Sequence, residues 1–343
     1  MKRLLLGVFT LACSVMYSQT FTSSNLPIVI INTDGGADIV DDPRVGATMK
    51  IIYRTDGLRN NVTDQDSTLL LNYNGRIDIE VRGSSSQFLP KKGYGLTTRK
   101  LDGSNNNVSL LGMPAENDWI LNGLAFDSSL MRDFLSYELA RRVGNYAPRT
   151  VYCELMINGA HYGLYLLQEK IKLNSNRVDI AKMEAADTSL PKLTGGYITK
   201  VDKPNADTPA WSWSSNTGIN DVVFLHEYPK AEDIHEAQHN YIKGTFEQLA
   251  TAAAAHNSSK INGYPSVIDI PSFVDFMIMN ELSSNADGYH FSSYFHKERQ
   301  GKLRAGPIWD FNLTFGNDLV RWLMDRSKTN VWQFDNGDNE GPK

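Results

Sequence analysis

The chain has 343 residues, 41% hydrophobic and 21% charged, with a formal net charge of -5. This is a globular composition, long enough for one large domain or two small lobes. No long basic run stands out, which argues against nucleic acid as a partner.

Residues 1–19 read as a secretory signal peptide. Lys2-Arg3 form its basic start, residues 4–16 its apolar run, and cleavage is placed after Ser18. The run is too short to span a membrane, and no other apolar stretch is long enough. The protein is therefore read as secreted or extracytoplasmic, without a transmembrane segment. Lipoprotein anchoring at Cys13 is the alternative. If Cys13 leaves with the signal, Cys153 is a single cysteine and no internal disulfide is possible. Its apolar surroundings in 151–157 predict a small buried hydrophobe, with a nucleophile as the alternative.

Residues 20–75 read as strands and loop leading into the main domain. Residues 27–31 (Pro-Ile-Val-Ile-Ile) and 47–54 are predicted strands, and 56–67 a polar loop. Asn32-Thr33-Asp34-Gly35 lacks the later acids of a calcium loop and reads as a turn. A domain is expected over 76–334, followed by a polar tail at 335–343. Residues 76–82 alternate polar and apolar, the mark of a half-buried strand. Gly83-Ser84-Ser85-Ser86-Gln87 follows as a flexible turn, and a return strand begins at Pro90-Lys91-Lys92. Small donors and a lysine between two strands suit a phosphate cradle; an exposed hairpin with surface lysines is the other reading.

Asp127 is placed to cap a helix through Arg141, stopped by Gly144. Arg132 and Glu138 lie within it. Asn158-Gly159 between two apolar runs predicts a type I′ hairpin. Further strands are expected at 195–201 and 221–228, with a loop at 204–220 between them. Residues 231–256 read as one long helix and 272–282 as a second, with Pro271 at its start. His235-Glu236-Ala237-Gln238-His239 fits the HExxH zinc-peptidase spacing. No third ligand follows at a suitable distance, and the surroundings are polar.

The second helix runs into Asn285-Ala286-Asp287. A predicted hairpin then follows, with strands at 291–297 and 303–308, and leads to Asp310-Phe311-Asn312. A hairpin brings its flanks together, so Asp287 and Asp310 can face one cleft; protein kinases place a catalytic-loop Asp and a metal Asp in this way. Two acids flanking a hairpin also read as solvated turn residues. The order of parts along the chain weighs towards the kinase layout: phosphate loop, lysine strand, helix, hairpin, helices, loop Asp, metal Asp.

In these stretches the sequence resembles the CotH kinase family, an atypical branch of the protein kinase fold. The resemblance rests on Arg82-Gly83-Ser84-Ser85-Ser86 with Pro90-Lys91-Lys92-Gly93-Tyr94, and on Asp118-Trp119-Ile120-Leu121. It continues through Ser129-Leu130-Met131-Arg132, Ile157-Asn158-Gly159, Glu169-Lys170 and Gly195-Gly196-Tyr197-Ile198. It ends with Asn285-Ala286-Asp287 and Pro307-Ile308-Trp309-Asp310-Phe311-Asn312. It implies an α+β, bilobal, atypical protein-kinase-like fold with a β-rich N-lobe and a helical C-lobe. It also implies ATP, with Mg²⁺ or Mn²⁺, and transfer of phosphate to Ser or Thr of an extracytoplasmic protein.

By this resemblance Asp287 orients or deprotonates the acceptor hydroxyl and Asp310 holds the metal. Lys92 meets the nucleotide phosphates, Arg82 and Ser85 belong to the loop over them, and Glu169 lies at the hinge near the adenine. Arg132 supports phosphate or Asp310, and Glu138 is a partner for Lys92. Three departures mark this chain. Asn312 stands where many members have a second Asp. Ser292 stands where typical kinases have a metal-binding Asn, so Asp310, Asn312 and Ser292 form the expected metal set. The chain ends 27 residues after Gly316, which reads as a truncated C-lobe. A catalytically weak nucleotide-binding or surface-scaffold module is the alternative, and the HExxH zinc peptidase a lesser one. Nothing in the sequence sets the oligomeric state.

Overall fold

A computed structural model describes residues 20–204, 207–213, 221–317 and 332–334. The stretch at 1–19 expected to be a signal peptide, the expected tail at 335–343 and part of the expected 204–220 loop lie outside the described residues.

Seven strands of the first half close into a barrel. They are β1 Ile28–Thr33, β2 Val45–Ile52, β3 Leu71–Arg82, β4 Gly93–Arg99, β5 Asp118–Asn122, β6 Thr150–Ile157 and β7 Ala160–Glu169. Neighbours pair antiparallel in the order β1-β2-β3-β4-β5-β7-β6, and β6 returns to pair parallel with β1, Glu154 opposite Ile28. That last pairing removes the sheet edge. It also explains why β1 is apolar at consecutive positions. Val29 and Ile31 point into the barrel core with Met49, Ile77, Leu96, Trp119, Leu155 and Leu167. Ile28 and Ile30 are buried on the outer side against Ile52 and Met156. The β6–β7 turn has Asn158 at φ 49° and Gly159 at φ 81°, the left-handed pair that a type I′ turn requires.

One helix crosses this half. The expected helix, entered from Asp127, forms as α1, Arg132–Arg142. Asp127 is not the residue flanking its first turn. Its carboxylate instead accepts the N–H of Arg132 at 2.8 Å across the intervening loop.

The second half contains a sheet as well as helices, a departure from the expected helical C-lobe. The sheet has five strands: β8 Tyr197–Val201, β9 Trp211–Trp213, β10 Val222–Tyr228, β11 Ser293–Lys297 and β12 Leu303–Ala305. Strand β9 falls inside the stretch expected to be loop, because Trp211 is a core residue stacked on Phe224 at 4.7 Å. Tyr197, Val201, Trp211 and Phe224 pack under Ile242 and Phe246 of α2, Glu236–Ala254. A one-turn helix, α3 Tyr264–Val267, then leads to α4, Ile270–Leu282.

Helix α2 begins five residues later than the sequence suggests, because His235 is its N-cap. The His235 ring nitrogen Nδ1 accepts from the Ala237 N–H at 3.1 Å, and Gln238 reaches back to the His235 N–H. Asp269 caps α4. The hairpin strand expected over 303–308 stops at Ala305, since Gly306 has φ 100° and Pro307 has no N–H to donate.

Two apolar seams join the halves. Ile120 and Ile171 of the barrel side meet Ile198, Tyr294 and Trp309. Tyr137 and Ala140 of α1 meet Phe276, Met279, Ile308 and Phe311. The fold is mixed α+β and rich in strands.

Candidate active site

Between the barrel and the second sheet lies a cleft of about 610 Å³. Its roof is the end of β3 and the serine loop, where Arg82, Gly83, Ser84, Ser85 and Ser86 all face it. The expected flexible turn is an ordered 3-10 turn, Ser85–Phe88. Gly83 enters that turn with φ 115°, and a Cβ there would stand 2.0 Å from Ser86 Oγ, so this position requires glycine.

The floor comes from the α4–β11–β12 segment. Asp287, Ser292, Asp310 and Asn312 line the same cleft. Six of the residues singled out in the sequence thus meet in one place: Arg82, Ser85, Asp287, Ser292, Asp310 and Asn312. The hairpin brings its flanks together as its local geometry requires. The loop before it is shaped by amides buried beneath it. Asn280 Oδ1 accepts from Asn285 Nδ2 at 2.8 Å, and Asn285 Oδ1 accepts the Asp287 N–H at 3.2 Å.

Asp310 sits in the left-handed region, with φ 58° and ψ 57°, a strained conformation for a residue with a side chain. Helix α1 holds it there. The Asp310 N–H donates to Tyr137 Oη at 3.2 Å, and the Phe311 N–H donates to Asp133 Oδ1 at 2.7 Å. Asn122 Nδ2 at the end of β5 donates to the other Asp133 oxygen at 2.9 Å. Asn312 Nδ2 donates to Asp310 Oδ1.

The electrostatics are acidic. Burial, then the carboxylates of Asp133, Asp287 and Asp202, push the Asp310 carboxyl well above the usual range, while Arg82 opposes them. Burial likewise raises Asp133, against its hydrogen bonds from Phe311 and Asn122. Burial also raises Asp202, at the end of β8, although N–H groups of Lys203 and Ser292 face it. Arg82 reaches across the cleft with its guanidinium 5.6 Å from the centre of the Trp309 ring.

A divalent cation suits this donor set. Desolvated carboxylates that repel one another lose that penalty when a cation is added. Among the described residues no three Asp, Glu, His or Cys side chains converge as a metal cage. A cation here would take Asp310 and a few neutral oxygens from the protein, leaving positions for phosphate, as Mg²⁺ usually does.

Other expected residues lie elsewhere. The Lys92 ammonium is bound to the carbonyl of Gln87 within its own loop and does not line the cleft. Glu169 is fully buried, and its carboxylate accepts from Arg149 Nη1 at 3.0 Å and from the Arg149 N–H at 3.0 Å. That carboxylate therefore belongs to the core under β7. Arg132 Nε donates to the Thr314 carbonyl at 2.8 Å, bracing the chain beyond Asp310 rather than reaching the cleft. Glu138 pairs with Arg141 on the outer face of α1, not with Lys92. Cys153 is buried in the barrel, with its thiol pushed up to about 12 by burial.

The HExxH pair does not converge. His235 lies outside α2 as its cap, and His239 Nδ1 faces His226 Nε2 at 3.0 Å. The spacing places two imidazoles together only when both lie on the helix.

Reasoning from sequence missed Asp133, Tyr137 and Asp202. Asp202 had a local signal, an acid directly after a strand. Asp133 and Tyr137 had none, since their partners are about 175 residues away along the chain.

A family model described as CotH kinase protein matches residues 79–342. Inner spore coat protein H of Bacillus subtilis (strain 168) is 23% identical over 244 residues, which make up 71% of this chain and 60% of that protein.

Proposed function

The chain belongs to the CotH kinase protein family, and from that premise we propose that it transfers the γ-phosphoryl group of ATP to a Ser or Thr hydroxyl of an extracytoplasmic protein, with Mg²⁺ or Mn²⁺ as cofactor. The observation that carries this reading is the placement of Asp287 and Asp310 on one cleft beneath the Arg82–Ser86 loop. A bilobal, atypical kinase-like arrangement is part of the same proposal: the barrel with α1 is one lobe, and the sheet with α2 to α4 the other.

In this reading Asp287 accepts the proton of the acceptor hydroxyl. The acceptor oxygen bonds to the γ-phosphorus, the bond to the β-phosphate bridging oxygen breaks, and ADP leaves with that electron pair. Asp310 is the cation's carboxylate ligand, with Asn312 and Ser292 as neutral oxygen donors. The bound cation supplies neutralisation of charge on the phosphate oxygens. Arg82 and the donors of Ser84 to Ser86 close over the phosphates.

The test is incubation with labelled ATP, Mg²⁺ or Mn²⁺ and a Ser-rich protein. Label is expected in the acceptor or in the chain itself. It should vanish in Asp287→Ala and Asp310→Ala. Transfer that persists in Asp310→Ala removes the metal role of Asp310.

One observation favours a second reading, a nucleotide-binding scaffold with little turnover. The Asn312 amide N–H occupies one oxygen of Asp310, where many members of the resembled family carry a second acid. Calorimetry that finds metal-dependent ATP binding without transfer supports this reading over the first.

A further inference from the structure

Phosphates entering an acidic cleft need fixed positive charge close by, and Lys92 does not supply it. The other lysines on the cleft wall are also engaged. The Lys91 ammonium donates to the Leu164 carbonyl and lies 4.8 Å from the centre of the Tyr165 ring. Lys203 lies 4.7 Å from the centre of the Phe291 ring.

Lys200, on β8, is placed differently. The cleft continues into an inner recess of about 200 Å³. Among the described residues, Lys200 is the one lysine that lines both spaces. Its side chain is 14% exposed and lies 3.0 Å from Asp207 and 3.4 Å from Glu227. Those two carboxylates fix the ammonium at the junction. Arg82 and Trp309 border the same junction, and Asp310 lies on the cleft side of it. The recess beyond is lined by Leu96, Ile120 and Ile171 together with the charged side chains of Glu80, Asp118 and Lys170. A flat ring that carries hydrogen-bonding nitrogens suits that mixed lining, and a polyphosphate suits the junction.

We propose that Lys200 is the lysine that meets the nucleotide phosphates, held in place by Asp207 and Glu227, with the base directed into the recess. This rests on the kinase reading above. The geometry separates two kinds of ligand contact. Loss of the Lys200 ammonium weakens ATP but not adenosine, because adenosine has no phosphate to meet it.

Titration calorimetry of the full chain with Mg²⁺-ATP and with adenosine tests this, using Lys200→Met, Lys200→Arg and Lys92→Met. Lys200→Met is expected to weaken ATP by about tenfold to a hundredfold, the range for a lost charge-assisted hydrogen bond, with adenosine within about twofold. Lys200→Arg should recover part of the loss. The Lys200→Met loss should exceed that of Lys92→Met by about tenfold. Glu227 keeps Lys230 at 3.0 Å when Lys200 is removed, which favours folding of the variant. If it does not fold, Lys200→Gln/Glu227→Gln is compared in the same way. Parental ATP affinity in either Lys200 variant, or a larger loss in Lys92→Met, overturns the inference and leaves the kinase reading standing. A parent chain that binds no nucleotide overturns both.

Discussion

Asp133, near the start of α1, accepts the backbone N–H of Phe311 at 2.7 Å and so ties the helix to the segment that carries Asp310. The bond is buried, and Asp133 is 1% exposed. With Tyr137 Oη on the Asp310 N–H, it holds Asp310 in the left-handed conformation. A helix on one half of the molecule thereby sets the backbone of the expected metal ligand on the other.

Asp133→Ala should therefore act on both stability and function. It leaves the Phe311 N–H and one Asn122 N–H without their acceptor, at a cost of about 1–3 kcal/mol. Thermal unfolding should register that loss. Nucleotide binding should weaken further than the stability change alone explains, since the Asp310 backbone is released. A variant with parental phosphoryl transfer would show that α1 does not position Asp310.

Asp310→Asn should separate metal binding from folding. Without metal, the carboxyl is buried among like charges, so the amide should leave the melting temperature unchanged or raise it. With Mn²⁺ at about a hundred times its dissociation constant, the parent should gain about 2.7 kcal/mol and the variant nothing. A metal-induced rise of equal size in both proteins would place the cation elsewhere.

Glu169→Ala should behave as a core mutation. Removing the buried carboxylate strands the Arg149 N–H and leaves the buried Arg177 guanidinium, 3.8 Å away, without its counter-charge, at a cost of about 3–5 kcal/mol. Thermal unfolding should detect this. The preference for ATP over other nucleoside triphosphates should not change in competition binding; a selective loss of adenine would return Glu169 to the nucleotide site.

Two histidines predict acid sensitivity. Burial, with His239 beside it, lowers His226 to about 4, and burial lowers His296 to about 4, from an ordinary value of 6.5. Below pH 6.5 the unfolded chain takes up protons that the folded chain refuses until about pH 4. The histidine contribution to stability should fall as pH drops through that window, against the opposite contribution of the raised carboxyls of Asp310 and Asp133, which take up protons first in the folded chain. Melting temperatures at pH 7 and pH 5 in the parent and in His226→Gln separate the two, and the variant should lose less, or gain more, on going to pH 5. The same change in both proteins would contradict the role of His226.

Much of this architecture was legible in the chain itself. The β6–β7 turn followed from Asn158-Gly159, and most strands from alternation or apolar runs. Asp287 and Asp310 were visible as a pair because a hairpin of known type lies between them. The barrel closure was not, since β1 and β6 pair in parallel across more than 120 residues. Nor was the role of the HExxH stretch, because whether a histidine caps a helix or sits within it depends on which neighbours offer the first turn its acceptors.

The sequence by itself determined the local elements, the family resemblance and the two acids of the hairpin, since each depends on residues close together in the chain. Only the tertiary structure decided where the charged side chains go. Lys92, Glu169 and Glu138 each found a nearer partner, in Gln87, Arg149 and Arg141. Lys200 and Tyr137 came to the cleft from distant positions, and Asp133 came from another to the Phe311 N–H. A polar side chain ends where desolvation and its available partners balance, and for Asp133 and Tyr137 those partners exist only once the two halves are packed together.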